Sequence, residues 1–241
     1  MKFIKDTVQA VFVGREKRFQ GYVEYEGKVI MVHVPNTGRV SEILIPGTTV
    51  ILRKEDNPLR KTAFTLIAAY KGDALINIDS QIPNRVVEEA LTKGRIPELR
   101  RFSIIKREKF YNKSRFDFLL ESPEGEKYFL EVKGVTLEDQ GMASFPDAPT
   151  ERGTKHITEL MEAKDEGYGA GVLFVLQMED MLGFTPAYEK DPLFSSTLYK
   201  AKEYGVDIMA YGCKVTEQSL DLSEAVPVHF VEDSEGQFSV K

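Results

Sequence analysis

Along the first third of the chain, apolar and β-branched residues recur in short runs separated by turn chemistry, with hardly a helical period among them. Strands are expected over Thr7–Val13, Phe19–Tyr25, Val29–Val34, Thr48–Leu52, Ala63–Tyr70 and Ala74–Ile78. Glu26-Gly27-Lys28 reads as a tight connection, Pro35-Asn36-Thr37-Gly38 as a loop, and Pro46-Gly47 as the entry to a strand. Several short strands in so short a segment indicate a small barrel. An oligonucleotide-binding (OB) barrel leads, and an SH3-like barrel fits the same pattern.

The pattern changes at Ile82. In Arg85–Lys93, Val86, Val87, Ala90 and Leu91 fall at helical spacing, and Gly94 ends the helix. Phe102–Phe110, Ser114–Leu120 and Tyr128–Lys133 read as strands, the last two joined by the turn Ser122–Glu126. After a long loop, Thr150 caps an expected helix from Glu151 to about Glu166. Val172–Gln177 is an apolar run typical of a strand covered on both faces. A helix over Ser195–Tyr204, a strand over Val206–Tyr211 and a last strand over Val226–Val231 complete the reading. Strand, helix and strand at this spacing form a right-handed parallel crossover. The expected organisation is an all-β module over 1–81 and an α/β domain over 82–241.

Composition narrows the chemistry. The chain has 241 residues, 42% hydrophobic, enough for a core in each part. One cysteine, Cys213, rules out an internal disulfide and reads as a buried strand residue. His33, His156 and His229 lack zinc-ligand spacing. The start of the chain has no secretory apolar region and no run is long enough to span a bilayer, so a cytoplasmic protein is expected. A net charge of -6 counts against nucleic-acid binding. The distribution counts for it: from Lys93 to Arg115 there are nine basic residues against two acidic, an excess of +7. Such runs are more often solvated faces than binding sites.

The acids and lysine that follow that run carry the chemistry. If Glu121 pairs with Lys127, the antiparallel register sets Asp117 opposite Glu131. Alternation then puts Glu131 and Lys133 on one face, Tyr128, Leu130 and Val132 on the other, and Asp117 opposite to both Phe116 and Phe118. Two carboxylates in an apolar setting need compensation. Mg²⁺ or Mn²⁺ held by Asp117 and Glu131, with Lys133 alongside, makes a phosphodiester-hydrolysing centre. A cross-strand salt bridge satisfies the same spacing.

Three blocks, Ser114–Phe118, Glu131–Leu137 and Phe145–His156, resemble the sugar fermentation stimulation protein A (SfsA) family. His33–Gly38, Gln177 and Asp191-Pro192 match it too, so the similarity runs over nearly the whole chain. The resemblance implies an OB-like N-terminal barrel joined to a restriction-endonuclease-like domain of the PD-(D/E)XK class, a mixed sheet flanked by helices. It matches the class's catalytic residues to Asp117, Glu131 and Lys133; the "PD" proline is replaced by Phe116. It implies a nucleic-acid partner, most readily DNA, and either a metal-dependent nuclease or a DNA-binding regulator of sugar metabolism with a silent metal site. An interaction module with no nucleic-acid role is a third class, favoured by the acidic pI. A dimer is compatible with the sequence.

Each supporting residue has two readings. Glu108 is a third carboxylate for the metal or a surface partner of its basic neighbours; Glu88 and Glu89 compete for the same role. Arg115 holds a phosphate or pairs with an acid. Arg152 and His156 share a helix face, where they contact a phosphate or move a proton, and a structural histidine is the alternative. Phe145–Ala148 is a substrate loop or an ordered connection. Arg15 and Arg18, with Phe19, match the basic-plus-aromatic set for single strands, although Phe19 is expected in the core. His33 and Asn36 line either a groove or the domain interface, the interface preferred. Gly169 and Gly171 turn the chain and form no phosphate loop.

Overall fold

The fold is that of a computed structural model, which describes residues 1–230. The barrel strands are β1 (Thr7–Lys17), β2 (Gln20–Tyr25), β3 (Lys28–His33), β4 (Thr49–Lys54), β5 (Phe64–Lys71) and β6 (Ala74–Asn77). They lie in the order β3-β2-β1-β4-β5-β6, and a parallel pairing of His33 with Thr65 joins β3 to β5. That contact closes five strands into a ring, which is the oligonucleotide-binding arrangement. Val23, Val32, Val50, Leu52 and Leu66 fill its centre with no exposed surface. Alternation put these residues inside because successive strand side chains face opposite ways.

Beyond the barrel, α1 (Ile82–Thr92) carries Pro83 in its first turn, where no amide partner is needed, and is terminated just past its cap by Gly94 with φ of 62°. A short 3-10 turn at Pro97–Leu99 leads to β7 (Ile104–Tyr111), β8 (Ser114–Glu121) and β9 (Lys127–Val135). Two short strands follow, β10 (Leu137–Asp139) and β11 (Met142–Phe145), inside what reads in the sequence as a loop. The helix α2 (Glu151–Asp165) starts where Thr150 accepts the Gly153 amide at 3.1 Å. The rest is β12 (Gly169–Leu176), β13 (Gly183–Pro186), α3 (Pro192–Glu203), β14 (Asp207–Thr216) and β15 (Ser219–Ala225).

The main sheet runs β15-β14-β12-β9-β8-β7 and is mixed, with β9, β12 and β14 parallel. Helix α1 packs on one face, over Phe118, Leu130 and Val132; α2 and α3 pack on the other, over Phe116, Phe129 and Phe174. This is a restriction-endonuclease-like α/β layer. Asp191 ties α2 to α3, its two oxygens accepting the amides of Thr150 (2.8 Å) and Phe194 (3.0 Å). A third sheet, β10-β11-β13, carries a contact to the barrel: Lys71 of β5 donates to the Glu138 carbonyl at 3.0 Å.

Several expectations need correction. The strand expected over Val226–Val231 is reduced to one bridge, Val228 with Phe184, and Val231 lies outside the described residues. The last strand of the sheet is instead β15, which starts earlier and is exposed at its C-terminal end. Phe19 is 45% exposed, not core, and sits 6.0 Å from the His33 ring. Cys213 is buried in β14, as expected. Among the described residues no helix is long and apolar enough to cross a membrane.

Candidate nuclease-type site

The hairpin β8–β9 pairs Glu121 with Lys127 and runs in register to Phe118 with Leu130, so Asp117 falls at Glu131 by count. The backbone ladder stops there because a side chain takes over: Asp117 Oδ2 accepts the Val132 amide at 2.8 Å. The strand also turns over at this point. Phe116 and Phe118 are both fully buried but belong to cores on opposite faces of the sheet. Strict alternation placed them on one face; the break at Asp117 aims its carboxylate between layers.

Asp117 Oδ1 accepts from Asn84 Nδ2, at 2.6 Å, in the first turn of α1. Glu131 Oε1 accepts Lys133 Nζ at 2.6 Å and contacts His156 Nδ1 at 2.5 Å. Glu131 Oε2 is buried and makes no hydrogen bond. His156, on α2, is itself buried and stands edge-on to Phe116. Arg152 donates to His156 Nε2 at 3.5 Å, so the ring proton sits on Nδ1 and is donated to Glu131.

The two acids are pushed apart in basicity. Burial first, then the Glu131 charge, raise the Asp117 carboxyl to a pKa of about 6, against the pull of the Val132 amide, Lys133 and Asn84. Burial also works to raise Glu131, but Lys133 and His156 outweigh it and hold that carboxyl below its usual range. One acid is therefore firmly ionised and its neighbour titrates near neutrality.

The other expected site residues lie elsewhere. Glu108 stands opposite Asp117 on β7, but its backbone is left-handed (φ 51°) and its exposed carboxylate pairs with Arg115 at 3.3 Å. A third carboxylate ligand is thus not brought in, and Arg115 faces solvent. Glu88 pairs with Arg107 at 3.2 Å, and Glu89 with Lys93 at 2.5 Å. Among the described residues no three His, Cys, Asp or Glu side chains are grouped to hold a metal. Most of the basic run is likewise neutralised: Arg101 pairs with Glu126 and Lys106 with Glu121, leaving Arg100, Lys109 and Lys113 without an ion pair among the described residues, and Arg100 donates to the Gly94 carbonyl instead.

Arg15 has a different job from the expected phosphate contact. Its guanidinium donates to the carbonyls of Arg18, Asn36, Gly38 and Arg39, using all five N–H groups. It staples the Pro35–Gly38 loop to β1 and has no donor left for a ligand. Arg15→Ala is expected to lower stability by about 2 kcal/mol, as the loss of several charge-assisted bonds implies. Thermal melting checks this; an unchanged melting temperature would contradict the clamp. Arg18 remains exposed beside Lys17 and Arg39 in a groove of about 550 Å³ on the barrel.

Sequence reasoning missed Asn84, whose partner lies 33 positions away and leaves no local signal. It noted Gln177 without a role; the structure buries it at the end of β12, its amide nitrogen donating to Asn77 Oδ1 (2.8 Å) and the Asp79 carbonyl (3.2 Å).

Comparison with known proteins places this architecture. A family model described as the SfsA N-terminal OB domain matches residues 13–78, and one described as the sugar fermentation stimulation protein RE domain matches 81–219. A sugar fermentation stimulation protein homolog of Clostridium tetani is 59% identical, covering 93% of this chain and 97% of the relative. Its counterpart in Clostridium acetobutylicum is 58% identical over 95% of this chain and 99% of its own. The solved structure of Pyrococcus furiosus SfsA in complex with Ca²⁺ superposes with a TM-score of 0.86 at 29% identity, covering 95% of this chain and 99% of that one. With both halves matched in order and relatives aligned nearly end to end, this chain belongs to the sugar fermentation stimulation protein (SfsA) family.

Proposed function

We propose that this protein is a divalent-metal-dependent nuclease whose barrel holds a nucleic-acid strand, most readily DNA, while the α/β domain hydrolyses a phosphodiester bond. The observation that carries the reading is the buried, unpartnered Glu131 Oε2 beside a second carboxyl, Asp117, whose pKa burial and the Glu131 charge raise to about 6. Both features are costly in an empty site and both suit a hard cation. Asp117 and Glu131 would hold Mg²⁺ or Mn²⁺, consistent with the Ca²⁺ complex described for the Pyrococcus relative. When bound, the ion supplies Lewis-acid polarisation of a phosphoryl oxygen and a more acidic water.

The chain's own residues do the rest. Asn84 and the Val132 amide fix the Asp117 carboxylate, and His156 fixes Glu131 from behind, as a positioning residue. Lys133, with its side chain 15% exposed, offers a cation that offsets charge developing on the phosphate. The exposed cations Lys17, Arg18 and Arg39 give the barrel a place to hold a backbone.

A second reading is nucleic-acid binding without turnover, as suits a regulator of sugar metabolism. It is favoured by the Lys133 ammonium being committed to Glu131 at 2.6 Å. Digestion of single-stranded, duplex and structured DNA and RNA with Mg²⁺ or Mn²⁺, for wild type and Asp117→Asn, separates the two. The expected result is metal-dependent cleavage of at least one substrate, lost in Asp117→Asn with binding retained. Binding without cleavage on every substrate supports the regulatory reading, and no binding at low salt overturns both.

A further inference from the structure

Between the barrel and the α/β domain lies a cleft of about 160 Å³ that the catalytic geometry does not use. We propose that it is a nucleobase pocket, which receives one unstacked base of the strand whose backbone runs from the barrel groove to the Lys133 centre; this rests on the nucleic-acid reading above.

Two glycines, one from each half, open the cleft. A Cβ on Gly38 would come within 2.5 Å of Asp147 Oδ2, and a Cβ on Gly134 would overlap Gln177 Oε1 and press on Pro83. The backbone therefore approaches polar side chains more closely than any other residue type permits. The Gln177 side-chain oxygen is the most telling feature. Gln177 is 2% exposed and its amide nitrogen is fixed by two acceptors, so the flip is set and Oε1 faces the cleft side. Among the described residues that oxygen accepts no hydrogen bond. Nor do the hydroxyls of Thr37, Thr136 and Ser144, all on the wall, make one among those residues.

The wall's chemistry selects the ligand. No Lys or Arg lines the cleft and Asp147 does, so a phosphate is disfavoured. A fixed acceptor, three hydroxyls able to donate or accept, and apolar surface from Leu137 and Phe145 match a planar base with mixed donors and acceptors on its edge. The position agrees. Thr37 and Gly38 form a wall shared with the basic barrel groove, and Gly134 follows Lys133 directly on β9. Pro83 touches Gly134 while its neighbour Asn84 holds Asp117, so one turn of α1 separates the cleft from the acids.

The test is a titration of the isotopically labelled full chain, without metal, with the four ribonucleosides, ribose and glucose, followed by amide chemical shifts. At least one nucleoside is expected to move the Gly38, Gly134 and Thr136 signals saturably. The Thr136→Val/Ser144→Ala variant, checked by thermal melting to be folded, is expected to bind that nucleoside about tenfold more weakly. If ribose or glucose moves the same signals equally, or if no nucleoside does, the base pocket is overturned. The outcome is independent of catalysis: nucleoside binding by a protein that cleaves nothing sinks the nuclease reading alone. Cleavage without nucleoside shifts sinks the pocket alone.

Discussion

Replacing Lys133 by alanine is expected to lower metal-dependent cleavage about 10²–10³-fold while leaving strand binding nearly unchanged, because the side chain acts on charge that exists only as the bond breaks. Its ammonium lies 2.6 Å from Glu131 Oε1 with little solvent access, so it is held in place before substrate arrives. The same substitution removes a positive charge beside two acids. A divalent ion therefore binds the variant at least as well as wild type, which separates this prediction from simple damage to the site. Single-turnover cleavage at saturating Mg²⁺, paired with a calorimetric metal titration, makes the comparison. A variant that cleaves normally would show that Lys133 serves only as the salt-bridge partner of Glu131. Weaker metal binding would point to a collapsed site.

That choice between catalytic and salt-bridging lysine was already present in the spacing of the sequence, and it is instructive which parts of the site were readable there. The hairpin register was, because Ser122–Glu126 is a turn by its own chemistry and a turn fixes the pairing of the strands it joins. The faces of Glu131 and Lys133 followed from parity alone. The turnover at Asp117 did not, since it depends on a carboxylate displacing a backbone partner and on Glu108 adopting a left-handed conformation opposite it. Glu108 was misplaced for the same reason: composition offered a third acid nearby, and its left-handed backbone goes with a carboxylate paired to Arg115. The barrel was legible from its short alternating strands, but its closure rests on one parallel contact between residues 32 positions apart. The small sheet of β10, β11 and β13 was invisible because its strands have only three or four residues and the hairpin of β10 and β11 is completed by a parallel partner about 40 positions away. Arg15 shows the limit of reading charge: a basic residue beside an aromatic looks like a ligand contact, yet backbone carbonyls claimed every donor.

Lowering the pH is expected to stabilise the metal-free protein and to release its metal, with Asp117 responsible for both. Its carboxyl has an ordinary pKa of 3.8 and is raised to about 6 by burial and by the charge of Glu131. A raised acid holds its proton more tightly folded than unfolded, so the native state gains stability as pH falls through about 6 and the gain is complete near 4. The shift of about 2 units corresponds to an upper bound of about 3 kcal/mol. Glu131 runs the other way: with its carboxyl depressed, its contribution is present above its ordinary pKa of 4.5 and fades only at lower pH. The window between about 6 and 4.5 therefore isolates Asp117. Metal reverses the preference, because only the ionised carboxylate is a ligand. Mg²⁺ is expected to raise the melting temperature at pH about 7.5 and to lose affinity by up to tenfold per unit below about 6. Melting curves in EDTA and in Mg²⁺ across this range, for wild type and Asp117→Ala, read both effects, and the other acids with raised carboxyls, Asp79 and Asp147, cancel in the difference. Parallel profiles for the two proteins would remove Asp117 from the metal site and leave the pair of acids as a structural feature of the hairpin.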